Sequence, residues 1–222
     1  MAPRSPRETT PWAASGPTAK AFCTTGRAGA RLLSLTVPKS TPERRAKSRR
    51  STGQAYPKIR DMDPVAARFY EGFTYLDLLP RLRRNRERVE AFYRGLPPLP
   101  PLPASRALVL VEDWCPDSVQ AIPVLARLPL EARFFFRDEN PDLAEAYAKG
   151  GKRIVPTVVF LDGAFRELSR WHGPPEAAKA FLREAKEEGL PPAERLRRYH
   201  EAFPRFAEAM LSEWRALLGG EG

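Results

Sequence analysis

The sequence predicts a mixed α/β domain, a sheet flanked by helices, with extra helices at its N- and C-terminal sides. Three observations indicate this class. Short apolar runs typical of buried strands alternate with segments of helical periodicity. An Asp-Gly pair between two of the later runs indicates a hairpin. The resulting order, β-α-β-α-β-β-α, requires a sheet with a parallel part and an antiparallel part.

The first elements form a helical lead-in over residues 63–94. Apolar residues recur there at three- and four-residue steps from Phe69 to Tyr93, with a break near Gly72 and Pro80. A Pro-rich linker over 95–104 follows, and its sequence LPPLPPLP predicts a stiff, extended connector.

The core of the domain is expected over 105–187, with C-terminal helices over 191–218. Continuous apolar runs predict buried strands, and Gly or Pro residues bound most of the segments with helical periodicity. Strands are predicted over 107–111, 132–136, 157–161 and 165–171, and helices over 116–128, 141–148 and 174–187.

Positive charge is concentrated at one end of the chain. The 222 residues carry a net charge of +10, and residues 1–60 hold 13 Lys/Arg against Glu8 and Glu43. The remaining residues carry 24 Lys/Arg and 25 Asp/Glu, so the predicted domain is nearly neutral. Binding to nucleic acid is therefore expected only through residues 1–60.

Residues 1–61 are expected to be a disordered basic extension. They are rich in Ser, Thr, Arg, Pro and Gly and lack sustained hydrophobic periodicity. Three explanations stay open: a basic tail, a targeting peptide, or a segment that the natural protein lacks. The abrupt change of pattern at Met62 favours the last explanation, in which residues 62–222 are the whole protein.

Membrane insertion, metal sites and cofactors are not expected. No stretch approaches the ~20 apolar residues that span a bilayer, and the N-terminus lacks an apolar signal region. Cys23 and Cys115 are too few for a disulfide framework, and no Cys/His spacing indicates zinc. A cytoplasmic location is the expectation.

The sharpest motif is Trp114-Cys115-Pro116-Asp117-Ser118, between the first core strand and the first core helix. A cysteine at a helix N-terminus meets unpaired backbone amides and the positive end of the helix dipole, which stabilise a thiolate. Pro116 suits the first helical position, where its missing N–H costs nothing. Cys115 is therefore the candidate nucleophile, although a lone cysteine is more often a small apolar core residue.

A second motif, Val155-Pro156-Thr157, precedes the third strand. Together with the Cys115 motif and the hairpin, it resembles the thioredoxin superfamily over about residues 105–187. The whole is also similar to a thioredoxin-like branch with preceding helices and a motif close to E-D-W-C-x-D-S. The resemblance implies a cis Pro156 that faces Cys115, with Trp114, Pro116 and Val155 beside the substrate.

Two departures from the family alter the expected chemistry. Ser118 stands where the family has its second cysteine, and Val109 replaces its buried carboxylate. Ser118 cannot resolve a mixed disulfide, but its hydroxyl can donate a hydrogen bond to the Cys115 thiolate. A monothiol route is left, in which an outside thiol, or Cys23, releases Cys115.

Nearby charges predict only a modest fall in the pKa of Cys115. Glu112, Asp113 and Asp117 surround it in sequence and raise the pKa of a thiol, and Arg153 is the one expected cation.

Three functions compete on the sequence alone. The first is a monothiol thiol–disulfide oxidoreductase that acts on protein or low-molecular-weight disulfides in cell redox homeostasis. The second is a redox-silent module that binds extended peptides beside Pro156 along a free sheet edge. The third is a basic-tailed protein held on nucleic acid or an anionic surface by residues 1–60.

Overall fold

A computed structural model describes residues 64–219. The chain divides into two units, Met1–Gly53 and Gln54–Gly222, and every described residue lies in the second. The predictions for residues 1–61, for the start at Met62 and for Cys23 fall outside the described residues. None of the described helices is long and apolar enough to cross a membrane.

Within residues 64–219, four strands form one mixed sheet in the order β2-β1-β3-β4. The strands are β1 (Arg106–Val111), β2 (Glu131–Phe136), β3 (Thr157–Leu161) and β4 (Glu167–His172). β1 runs parallel to β2 and antiparallel to β3, and β4 runs antiparallel to β3. The central strands β1 and β3 are buried almost throughout, as their continuous apolar runs predict. This architecture confirms the predicted α/β class.

The hairpin between β3 and β4 forms at Asp162, as predicted. The Asp162 carboxylate accepts hydrogen bonds from the backbone N–H groups of Ala164 and Arg166, at 2.7 and 3.0 Å. β4 starts at Glu167 rather than at the predicted residue 165. Phe165 has φ = +62°, in the left-handed region, and so cannot continue the extended chain.

In the described part of the chain, eight α-helices surround the sheet. They are α1 (Pro64–Tyr70), α2 (Tyr75–Leu78), α3 (Arg86–Gly95), α4 (Pro116–Arg127), α5 (Pro141–Ala146), α6 (Glu176–Glu187), α7 (Pro192–Glu201) and α8 (Phe203–Leu217). The predicted lead-in is thus three helices with a short 3₁₀ turn, Leu79–Arg81, at the expected break around Pro80.

The segment after α1 joins the edge of the sheet. Phe73 exchanges both backbone hydrogen bonds with Phe134 of β2, at 2.9 and 2.8 Å. A Cβ at Gly72 would lie 2.5 Å from the Phe135 ring, so only glycine permits this approach. The segment at the break in helical periodicity near Gly72 therefore pairs with the edge strand β2.

The sheet separates two buried clusters. One face, with Val109 and Phe160, packs against α4 and α8. The other face, with Leu110 and Val159, packs against α1 and α5 and contains Cys115. The Pro-rich segment after α3 has no helix or strand before β1, as predicted, but Leu96 and Leu102 anchor it in the first cluster.

The C-terminal helices complete the core. Trp214 of α8 is fully buried and meets the rings of Phe160 and Trp171 edge-on. The Trp171 indole N–H donates to Glu213 at 2.7 Å, and the second oxygen of that carboxylate accepts from the Glu176 N–H. α8 is therefore tied to both β4 and α6.

Candidate active site

Cys115 lies where β1 gives way to α4. It is the N-cap residue of α4, with extended dihedral angles (φ −84°, ψ 117°), and Pro116 follows at the start of the helix. The Cys115 N–H donates to the Glu112 carbonyl at 3.2 Å, and its own carbonyl accepts from Val119 at 3.1 Å. The predicted placement of the thiol at a helix N-terminus is confirmed.

The thiol itself is buried. Cys115 is 6% exposed, and its Sγ donates to the Val155 carbonyl oxygen at 3.5 Å. Burial raises the pKa of Cys115, and the negative charge of Asp117 adds to this rise. The predicted modest fall in pKa is therefore wrong in sign, because desolvation of the thiolate and a neighbouring carboxylate outweigh the amides at the start of α4.

Ser118 is fully buried one helical turn after Cys115. Its hydroxyl accepts a hydrogen bond from the Glu112 N–H at 3.2 Å, which leaves the hydroxyl proton available to a thiolate. Hydrogen bonds from the Ser118 backbone and side chain lower the pKa of Cys115, but less than burial raises it.

The Val155-Pro156-Thr157 segment lies next to Cys115, on the side from which the resemblance expects it to face the thiol. The Val155–Pro156 peptide bond is cis, as the resemblance implies. The Pro156 carbonyl accepts from the Gly173 N–H at 3.0 Å. A Cβ at Gly173 would lie 2.7 Å from the Trp171 ring and 3.0 Å from Pro156, so glycine lets these groups meet. Val155 and Pro156 are therefore held beside Cys115 from the β4 side.

The two tryptophans have different environments. Trp171 is buried, as a core residue. Trp114 is 45% exposed, and the Arg137 guanidinium lies 5.4 Å from its ring centroid. An exposed Trp next to a buried thiol is available to a substrate, which fits the predicted position of Trp114 beside the substrate.

Of the carboxylates near Cys115 in sequence, two are engaged elsewhere. The Glu112 carboxylate accepts from the Asp138 N–H at 2.9 Å, and Asp113 accepts from the N–H groups of Arg83 and Arg84. Burial raises the pKa of Glu112. The expected cation, Arg153, pairs with Glu145 at 2.8 Å instead. Asp117 is the carboxylate whose charge acts on the thiol.

Sequence reasoning missed Tyr199. This residue of α7 is buried, and its hydroxyl donates to Asp117. Gln120 of α4 donates to the Tyr199 carbonyl at 3.1 Å. Burial and the charges of Asp117 and Cys115 raise the pKa of Tyr199, so it stays a neutral donor. No local pattern links a residue of a C-terminal helix to the Cys115 motif.

His172 and possible metal ligands are the last polar groups to consider. His172 ends β4 and is partly buried, and its Nε2 lies 3.1 Å from the Tyr147 carbonyl oxygen. Within residues 64–219, no three His, Cys, Asp or Glu side chains gather as a metal site would require.

Comparison with known proteins agrees with this geometry. Residues 103–186 match the family described as thioredoxin. No curated protein sequence matches the chain. A crystal structure of a protein of unknown function from Pseudomonas aeruginosa is similar, with 22% identity and a TM-score of 0.52. It matches over 71% of this chain and 98% of its own.

A second similar crystal structure is that of an HIV epitope scaffold, with 20% identity and a TM-score of 0.51. It also matches over 71% of this chain and 98% of its own. Both matches extend well beyond residues 103–186, so the shared fold includes helices outside the family match. The chain therefore carries a thioredoxin-like domain with further helices packed on it.

Proposed function

We propose that this protein is a monothiol thiol–disulfide oxidoreductase of the cytoplasm, with Cys115 as its nucleophile. The observation that carries the proposal is the position of Cys115. A thiol at the N-terminus of α4 lies 3.5 Å from the backbone of Val155, next to a cis proline. This is the place from which a thioredoxin-like fold can present a sulfur to a disulfide.

The proposed reaction has two exchange steps. The Cys115 thiolate attacks one sulfur of a protein or low-molecular-weight disulfide, forms a mixed disulfide, and releases the other half as a thiolate that water protonates. An outside low-molecular-weight thiol then attacks the substrate sulfur of the mixed disulfide and releases the Cys115 thiolate. One disulfide and one thiol give a new disulfide and a new thiol, so no further oxidant or cofactor is needed.

The neighbours of Cys115 take separate roles in this proposal. Ser118 donates a hydrogen bond to the thiolate. Val155 and Pro156 hold the substrate backbone, since among the described residues no acceptor pairs with the Val155 N–H. Trp114 and Pro116 offer apolar surface to the residues around the substrate disulfide.

The raised pKa of Cys115 sets the expected pH dependence. Since the thiolate is the reactive form, most of the protein is unreactive at neutral pH. We expect the rate of exchange to rise with pH through and beyond the ~8.5 of a free cysteine. Exchange at neutral pH would be slow compared with that of a low-pKa cysteine.

The test is exchange of the full chain with a neutral small disulfide from about pH 6 to about pH 10. A Cys23→Ser background leaves Cys115 as the reacting thiol. We expect a mixed disulfide whose rate rises with pH and is abolished by Cys115→Ser. Absence of Cys115-dependent exchange at any pH would reject the proposal.

Three observations favour a second candidate, a redox-silent module that binds extended peptides. Burial and Asp117 raise the pKa of Cys115, Trp114 is exposed, and the Val155 N–H lacks an acceptor among residues 64–219. An extended peptide could pair with the Val155 backbone. Cys115→Ser separates the two candidates. An oxidoreductase would lose its thiol exchange with this substitution, whereas a redox-silent module would keep its affinity for peptides.

A further inference from the structure

A pocket of about 290 Å³ opens beside the Cys115 segment, between α4, α6 and α7. It begins at Pro116 and Asp117, the two residues that follow the nucleophile. Most of its wall is apolar, and two of the apolar residues, Leu182 and Leu196, are among the exposed large hydrophobic residues of the structure. The apolar wall consists of Pro116, Leu182, Pro192 and Leu196.

One cation in this pocket lacks an acidic partner. Arg195 lines the pocket, and its Nη2 donates to the Leu190 carbonyl at 3.2 Å. Its Nε is buried without a hydrogen-bond partner. The nearest acids along the chain, Glu194 and Glu201, are paired with other arginines of α7, Arg197 and Arg198. Across residues 64–219, no carboxylate lies within ion-pair distance of Arg195.

Asp117, the carboxylate that lines the pocket, is not available to pair with Arg195. Asp117 accepts a hydrogen bond from Tyr199, which also lines the pocket. A buried guanidinium N–H without an acceptor is costly, and a carboxylate is the group that satisfies it best. The pocket thus combines an apolar wall with a guanidinium N–H that lacks an acceptor, beside the first turn of the helix that Cys115 caps.

We infer that this pocket binds the carboxylate of the low-molecular-weight thiol that takes the place of the missing second cysteine. The inference rests on the proposed function, because Ser118 cannot resolve a mixed disulfide and a thiol must arrive from outside. The pocket is small enough for one such molecule. With its carboxylate on Arg195 and its stem on Leu182 and Leu196, its sulfur would lie near Cys115.

The test uses two disulfides that differ in charge alone, 3,3′-dithiodipropionate and its diamide. Formation of the mixed disulfide on Cys115 is the microscopic reverse of its release by the corresponding thiol. The readout is the ratio of the two rates, followed by mass spectrometry on the full chain in the Cys23→Ser background. We expect Arg195→Gln to lower the ratio of carboxylate to amide rates about tenfold.

Arg197→Gln is the matched control. It removes the same charge from the same helix, but Arg197 is exposed and lies outside the pocket. We expect it to leave the ratio unchanged. A ratio that Arg195→Gln does not alter, or that both variants lower equally, would overturn the inference while Cys115-dependent exchange still supports the proposed function.

A binding experiment decides the inference even if Cys115 exchanges with neither disulfide. Benzoate and benzamide are titrated into the Cys115→Ser protein while the methyl signals of Leu182 and Leu196 are followed by NMR. We expect benzoate to shift both signals, and we expect the shifts to vanish with benzamide or with Arg195→Gln. Equal shifts from both probes, or none from benzoate, would reject a carboxylate site.

Discussion

Ser118 occupies the position at which a two-cysteine site would hold its resolving thiol. Buried beside Cys115, it accepts from Glu112 and favours the thiolate. The same hydroxyl therefore has a structural role and an electrostatic one. Substitution at this position separates the two roles, because stability and thiol pKa are measured independently.

We expect Ser118→Ala to raise the pKa of Cys115 further and to slow exchange at fixed pH by about threefold, the effect of half a pKa unit. The free energy of unfolding should also fall by about 1 kcal/mol, because the Glu112 N–H loses its acceptor. The pKa is read from the ultraviolet absorbance of the thiolate, with Ser169→Ala on β4 as control. An unchanged or lowered pKa would show that Ser118 does not stabilise the thiolate.

His200 makes the stability of the folded protein depend on pH in the acid range. It is buried in α7, with Arg88 Nη1 2.5 Å from its Nδ1. Burial and the charge of Arg88 lower its pKa from 6.5 to about 4. Between pH 6.5 and about pH 4, His200 therefore binds a proton in the unfolded chain but not in the folded chain. The stability that depends on neutral His200 is complete above about pH 6.5 and is lost as the pH falls toward 4.

His200→Gln should remove this part of the pH dependence. Compared with the variant, the wild-type protein should lose on the order of 2 kcal/mol of unfolding free energy between neutral pH and pH 4. Urea unfolding at several pH values measures the difference, and His172→Gln controls for loss of an imidazole. Parallel curves for wild type and His200→Gln would contradict the assignment.

At the scale of elements, α8 carries much of the stability of the sheet face that it covers. Trp214 fills the space between Phe160 and Trp171, yet its indole N–H is buried without a partner. Size and polarity at this position thus have opposite effects on stability, since the ring fills the core while the N–H remains unsatisfied.

Trp214→Ala should lower the unfolding free energy by about 3–5 kcal/mol, because it leaves a large cavity. Trp214→Phe should cost much less, because it keeps an aromatic ring and removes the unpaired N–H. Leu217→Ala, at an exposed position of the same helix, should change stability by less than about 0.5 kcal/mol. Chemical denaturation compares the three, and equal losses for both Trp214 variants would refute this account.

Periodicity predicted the elements of the core well, and its errors have local causes. β3 begins and ends as predicted, because an apolar run bounded by Pro156 and Asp162 allows little else. β4 begins two residues late because Phe165 takes a left-handed conformation. The lead-in divides into three helices because Gly72 contacts β2 and Pro80 starts a turn. The breaks at Gly72 and Pro80 were visible in the periodicity, whereas the left-handed conformation of Phe165 leaves no periodic signal.

The candidate site was predictable where its residues are close in sequence or follow a family pattern. Cys115, Ser118 and the cis Pro156 belong to this part. The sign of the thiol pKa was not predictable, because it depends on how completely the fold buries Cys115 and on Asp117. Tyr199 and Arg195 were not predictable either, because only tertiary packing brings α7 to the start of α4.

For the whole molecule, we propose that residues 62–222 are sufficient to fold. The buried clusters of the described part draw on residues from Ala66 to Trp214. A chain that begins at Met62 should therefore unfold at the same temperature as the full chain, measured by circular dichroism. A fall of several degrees would show that residues 1–61 contribute to the folded state.

The residues that complete the surroundings of Cys115 come late in the chain. The hydrogen-bond donor of Asp117 is Tyr199, which lies in α7. Trp171, which lies beside Gly173 and Pro156, packs against Trp214 of α8. Because a ribosome delivers the chain from its N-terminus, the sheet and the thiol emerge before either helix. In a nascent chain the surroundings of Cys115 are therefore incomplete, and the thiol reaches its final environment only after α7 and α8 have been synthesised.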